Sequence, residues 1–167
     1  IGPLYSKSQR DEIELQVKDA LAKGANLHVG GRRGKGAGWF YEPTLLSGVT
    51  TKMKVMNQET FGPVMPVFRV PSVDAAIAQA NDTEFGLGAS VWTRSLSLAD
   101  EIAKRINSGL FFVNNAVKSD PRMPFGGVKH SGVGRELSRY GLLEMVNVKT
   151  VQIYPPSSPA PQAQHVE

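Results

Sequence analysis

An α/β layer with parallel strand pairings is what this 167-residue sequence predicts, and three observations point to it. Apolar residues recur at helical spacing in separate stretches, each opened by a serine cap. Short apolar runs of strand length lie between those stretches. The two kinds of segment alternate along the chain, and such alternation folds as helices laid over a largely parallel sheet.

The elements follow in order. Residues 8–23 predict a helix. Ser8 and Asp11 form a capping-box start, Ile13, Val17, Ala20 and Leu21 share a face, and Gly24 supplies the stop. A short strand is expected at 26–29. The apolar, aromatic run 39–46 contains Pro43, which predicts an edge strand or an irregular extended segment. Residues 64–70 read as another strand with a proline inside. A helix over 72–81 takes Ser72 as its cap, and 88–92 is strand-like. A second clear helix opens at Ser97 with Asp100 and carries Leu98, Ile102 and Ile106 at four-residue spacing until Gly109. The run 110–113 has the length of a buried strand. Residues 135–146 are partly helical, and 149–154 alternate as a strand should, with Val151 and Ile153 on one side. The proline-rich end, 155–167, has no periodicity and predicts a disordered tail. The chain opens on Ile1 rather than methionine, which suggests a piece cut from a longer polypeptide.

Composition narrows the chemistry. Cysteine is absent, which excludes disulfides, thiolate metal sites and a cysteine nucleophile within these residues. His28, His130 and His165 are too scattered for a zinc motif, so no metal is expected. No apolar run is long enough to span a membrane. The net charge of +4 permits contact with anions, but the basic residues are spread out. Their densest cluster, GGRRGKG at 30–36, reads either as a contact for nucleic acid or as a solvated loop, and its shortness favours the loop.

Two loops hold the unusual residue choices. In NQETFGPV, residues 57–64, Glu59 precedes a rigid glycine-proline bend and Phe61 stands beside it. A carboxylate there can accept two hydroxyl hydrogen bonds, and the ring can pack on a flat ligand. A solvated acid and a core phenylalanine would look the same in sequence. In SDPRMPFGGVKHSGVGREL, residues 119–137, the glycines suggest a phosphate cradle. Both phosphate motifs fail, however. Lys129 is followed by His130 rather than Ser or Thr, and Leu137 stands where a third dinucleotide-type glycine belongs. Ser119 could donate to a carboxylate or carbonyl, Arg122 could attract an anion, and Phe125 sits beside backbone that a ligand can approach. Glu136 is expected to pair locally with Arg135 or Arg139.

NQETFGPV, NDTEFGLGASVWT, FVNN and MPFGGVKHSGVGRE, in this order and spacing, resemble the aldehyde dehydrogenase superfamily. IGPLYS, ALAKGA and YEPTLL also fit, and the resemblance runs from Ile1 to about Tyr154. Ser119, the DPR after it and RELS make the chain most like bacterial succinate-semialdehyde dehydrogenases. The resemblance implies part of a three-layer catalytic domain over residues 1–147, an oligomerisation-arm strand at 148–154 and a tail at 155–167.

It also implies a chemistry: a cysteine thiolate attacks the aldehyde, hydride passes to NAD or NADP, and water hydrolyses the thioester. In the family the nucleophile and the nucleotide-binding domain lie upstream of the segment matching IGPL, so this chain alone is expected to be inactive. Glu59 matches the carboxylate that binds the nicotinamide-side ribose, and Phe61 matches the aromatic beside the nicotinamide. Ser119 and Phe125 match positions lining the aldehyde tunnel. Glu136 matches a carboxylate that assists water and proton handling. Gln58 and Lys118 depart from the residues common in the family. The expected partners are a small aldehyde and further copies of the chain, with no nucleic acid or membrane, in the cytoplasm. The competing expectations are a different aldehyde, or an interaction module that kept the fold without the chemistry.

Overall fold

The computed structural model describes residues 1–156, which divide into two compact units, one ending at Thr83 and one beginning at Glu84.

The first unit opens with α1 (Lys7–Ala22). Its cap is Ser6 rather than Ser8: Ser6 is extended, and its side chain accepts from the Gln9 N–H at 3.2 Å. Ser8 lies already inside the first turn, and Asp11 pairs with Lys7 and Arg33 instead of completing a capping box. The buried face is Ile13, Gln16, Val17 and Ala20, while Leu21 is partly exposed. After it come β1 (Asn26–Val29), β2 (Thr44–Ser47), the single turn α2 (Lys54–Asn57), β3 (Val64–Val67) and α3 (Val73–Asn81). Ser72 caps α3 as expected, accepting from the Ala75 N–H.

The sheet order is β1-β2-β3, antiparallel between β1 and β2 and parallel between β2 and β3. The run expected at an edge therefore supplies the middle strand. The strand starts one residue after Pro43, so the proline owes the ladder no N–H. Pro66 instead falls in β3, opposite Leu46 on the sheet's outer side, where a missing donor is tolerated. Ala20, Leu46, Val49, Met53 and Val55 form one core cluster, and Ile13, Val17 and Tyr41 form another.

The second unit contains β4 (Phe85–Gly86), β5 (Gly88–Val91), α4 (Leu96–Arg105), β6 (Leu110–Val113), β7 (Val128–Lys129) and α5 (Ser138–Glu144). β5 and β6 are parallel with α4 as their crossover, the strand–helix–strand unit expected from the alternation. Ser95, not Ser97, caps α4, and Asp100 pairs with Lys104 one turn on. β4 and β7 pair antiparallel through only two residues each. Gly109 shows how closely the backbones meet here: a Cβ on it would stand 1.8 Å from the Gly126 carbonyl oxygen. Residues 147–155 form no helix or strand, and 149–154 are exposed throughout. The expected tail lies mostly outside the described residues.

Candidate functional site

The loop carrying Glu59 and Phe61 is held by its main chain. Gln16 Nε2 donates to the Glu59 carbonyl at 3.2 Å, and the Thr60 hydroxyl donates to Gln16 Oε1 at 2.6 Å. Gln9 Nε2 donates to the Phe61 carbonyl. The bend then continues into β3, where the Pro63 carbonyl accepts from the Thr44 N–H at 2.8 Å. Gly62 packs closely here, since a Cβ on it would fall 2.0 Å from Ile13 Cδ1 and that side chain would have to turn aside. With the backbone pinned inward, both side chains point to solvent. Glu59 is exposed, and Phe61 is 67% exposed, so it is not a core phenylalanine. An exposed carboxylate next to an exposed ring suits a ligand that offers a diol and a flat ring.

In the second unit, Phe125 and Glu136 are brought together. The Phe125 N–H donates to the Glu136 carbonyl and the Glu136 N–H to the Phe125 carbonyl, both at 2.8 Å. The two residues line a cavity of about 400 Å³ with Leu87, the glycine-rich turn and Glu144. Phe125 also lines a second cavity of about 290 Å³, against β6 and with Lys118, Asp120 and Met123. Phe125 thus borders both spaces.

Among the described residues Glu136 pairs with neither Arg135 nor Arg139, contrary to expectation. Arg135 Nη1 donates instead to the Gly127 and Gly134 carbonyls, at 2.8 and 2.6 Å, and braces the turn from within. Ser119 is exposed at the start of this stretch. Arg122 is committed locally: Nε and Nη2 fork onto the two Asp120 carboxylate oxygens at 3.0 and 2.7 Å. That fork, with an added bond from the Arg122 N–H, holds the Asp120 carboxyl below the usual carboxylate range.

The basic loop at 30–36 is likewise engaged internally. Arg32 pairs with Glu42, and Arg33 bridges Asp11 and Glu14. Glu14 is held below its ordinary pKa chiefly by the Arg33 hydrogen bond. No helix among the described residues is long and apolar enough to cross a membrane.

Sequence reasoning passed over Gln9 and Gln16, and it offered Arg135 to Glu136 rather than to the two carbonyls it meets. The signal available for Gln16 was an amide at a position that the helical stripe reserves for an apolar residue.

The family model described as the aldehyde dehydrogenase family matches residues 1–151. An aldehyde dehydrogenase of Paenarthrobacter nicotinovorans is 47% identical over 150 residues, covering 90% of this chain and 33% of its own length. The succinate-semialdehyde dehydrogenase (NADP(+)) 1 of Mycobacterium bovis is 44% identical over 153 residues, covering 92% and 34%. The crystal structure of succinate-semialdehyde dehydrogenase from Burkholderia pseudomallei superposes with a TM-score of 0.84 at 42% identity, covering 86% of this chain and 30% of that one. The chain thus spans about a third of the length of the curated relatives it matches. Because the family model covers residues 1–151, nearly the whole of the described chain, the chain belongs to the aldehyde dehydrogenase family.

Proposed function

We propose that this chain is the C-terminal part of an NAD- or NADP-dependent aldehyde dehydrogenase that oxidises succinic semialdehyde to succinate. One observation carries the cofactor half of the reading: Glu59 and Phe61 are exposed on a loop whose main chain is tied to α1. That arrangement fits a nicotinamide nucleotide. The Glu59 carboxylate accepts from the ribose hydroxyls, and the Phe61 ring packs beside the nicotinamide. When bound, the cofactor accepts the hydride lost by the aldehyde carbon. The reaction also requires a cysteine thiolate, and this sequence contains none, so the nucleophile belongs to the rest of the enzyme.

The second unit supplies the substrate side. Phe125 is the apolar wall of the aldehyde path, and the exposed Glu136 carboxylate handles a proton of the attacking water. Ser119 donates to the distal carboxylate of the substrate. Nε and Nη2 of Arg122 are engaged by Asp120, so the reading gives the distal carboxylate to the serine hydroxyl first. The 43–44% identity to several succinate-semialdehyde dehydrogenases supports this substrate class. Residues 149–154, exposed and outside any sheet, pair as a strand with another subunit of a cytoplasmic homo-oligomer.

The experiment compares aldehydes in the full-length enzyme. Succinic semialdehyde should exceed an uncharged aldehyde of similar length in kcat/KM. Equal values would remove the substrate assignment while leaving the family untouched.

A further inference from the structure

Gln16 lies on the buried face of α1 beside Val17 and one turn from Ile13 and Ala20, and it is 2% exposed. An amide buried there loses its water and must find protein partners. A leucine or methionine would fill the same stripe without that cost. Both partners of Gln16 lie outside the core, on consecutive residues of the loop that presents Glu59. Its Nε2 donates to the Glu59 carbonyl at 3.2 Å, and its Oε1 accepts from the Thr60 hydroxyl at 2.6 Å. Fixing the carbonyl of a residue and the side chain of its neighbour fixes the peptide plane between them. That plane carries the Glu59 Cα, so it anchors the atom from which the Glu59 side chain leaves the backbone and restricts the side chain's direction. An apolar side chain could not do this.

We infer that Gln16 is a positioning residue for the cofactor: through the Glu59–Thr60 backbone it sets where the Glu59 carboxylate meets the ribose hydroxyls. The inference rests on the proposed role of Glu59. It adds a residue that touches no ligand and is predicted to change cofactor affinity more than turnover. Buried hydrogen bonds behave asymmetrically in a way that makes this testable. Removing one partner leaves the other unsatisfied and destabilises the fold, whereas replacing both by apolar groups of similar shape is close to neutral. Stability can therefore be restored in part without restoring the contact to the Glu59 carbonyl.

The test uses the full-length enzyme with Gln16→Met, Thr60→Val and the double variant, read by thermal melting and by KM for NAD+ and NADP+. Gln16→Met should lower the melting temperature. It should also raise the KM for the preferred nucleotide about tenfold, the scale expected for a binding group displaced by a fraction of an ångström. The KM for the aldehyde should hold. The double variant should recover part of the melting temperature, the share lost with the Thr60 bond, while the Glu59 carbonyl still lacks its donor and the cofactor KM stays raised. Recovery of both together would show that Gln16 only stabilises the fold, and an unchanged cofactor KM in Gln16→Met would overturn the inference outright. Glu59→Gln, measured alongside, separates the two levels. If it raises the cofactor KM while Gln16→Met does not, only the positioning role fails. If it leaves the cofactor KM unchanged, the reading of Glu59 fails and the positioning role with it.

Discussion

Phe125 and Glu136 exchange both of their backbone hydrogen bonds, each 2.8 Å long, and so face one another as a directly opposed antiparallel pair. Opposed residues of such a pair send their side chains to the same side of the ladder. Phe125 and Glu136, for which substrate-side roles are proposed, thereby border one cavity, although the glycine-rich turn separates them in sequence. Because the bridge is made by main chain, the Glu136 side chain is free for chemistry. Glu136→Gln in the full-length enzyme should melt with the wild type and lose about a hundredfold in kcat, within the usual range for a proton-transfer group. Wild-type turnover in this variant would reduce Glu136 to a bystander.

Close backbone approach makes the same region sensitive to a single methyl group. A Cβ on Gly109 meets the Gly126 carbonyl oxygen, a main-chain atom with no rotamer to move. Gly109→Ala should cost on the order of 1–3 kcal/mol in urea unfolding, the range for overpacking. An unchanged midpoint would mean that the β4–β7 region and β6 are less tightly apposed than described.

The Asp120–Arg122 fork makes a prediction about acid. The Asp120 carboxyl is held below the ordinary range by Arg122, so it remains ionised as pH falls past about 3.9, where an unfolded aspartate takes up its proton. A depressed native pKa adds stability above the unfolded value and loses it only as pH drops through the native one. The fork should therefore persist at pH 4 and open in stronger acid. NMR titration of the Asp120 carboxyl carbon checks this, with Arg122→Ala returning the midpoint to the ordinary range. A wild-type midpoint already in that range would refute the fork.

Much of this fold is legible from periodicity. The stripe of α1, the Ser72 cap, and the β5-α4-β6 crossover follow from apolar spacing and alternation. What escapes is set by distant contacts. Ser6 and Ser95 win the caps because the chain is still extended at those residues, and nothing in the serines themselves distinguishes them from Ser8 and Ser97. β4 and β7 are two residues long and exist only because the glycine-rich turn folds back, so no local pattern announces them. The residues proposed for the site, Glu59, Phe61, Ser119, Phe125 and Glu136, are marked by motifs. The residues that brace their loops are not: Gln16 reads as a blemish in a helix, and Arg135 as an ion-pair partner of Glu136, until their carbonyl partners are known.

Substrate choice should respond to Ser119. One charge-assisted hydrogen bond to a carboxylate contributes about 1.5–3 kcal/mol, or roughly one to two powers of ten in kcat/KM. Ser119→Ala in the full-length enzyme should lose that factor for succinic semialdehyde and little for an uncharged aldehyde of similar length. Equal losses would make the serine structural.

The most direct test of the account is a cofactor-reduction assay on two proteins, the full-length enzyme and the isolated 167-residue chain. Each is given succinic semialdehyde with NAD+ or NADP+, and reduced nicotinamide is followed by its absorbance. The account predicts aldehyde-dependent reduction by the full-length enzyme and none by the isolated chain, which has no cysteine to attack the aldehyde. Turnover by the isolated chain, or none by the full-length enzyme with any aldehyde, would contradict it.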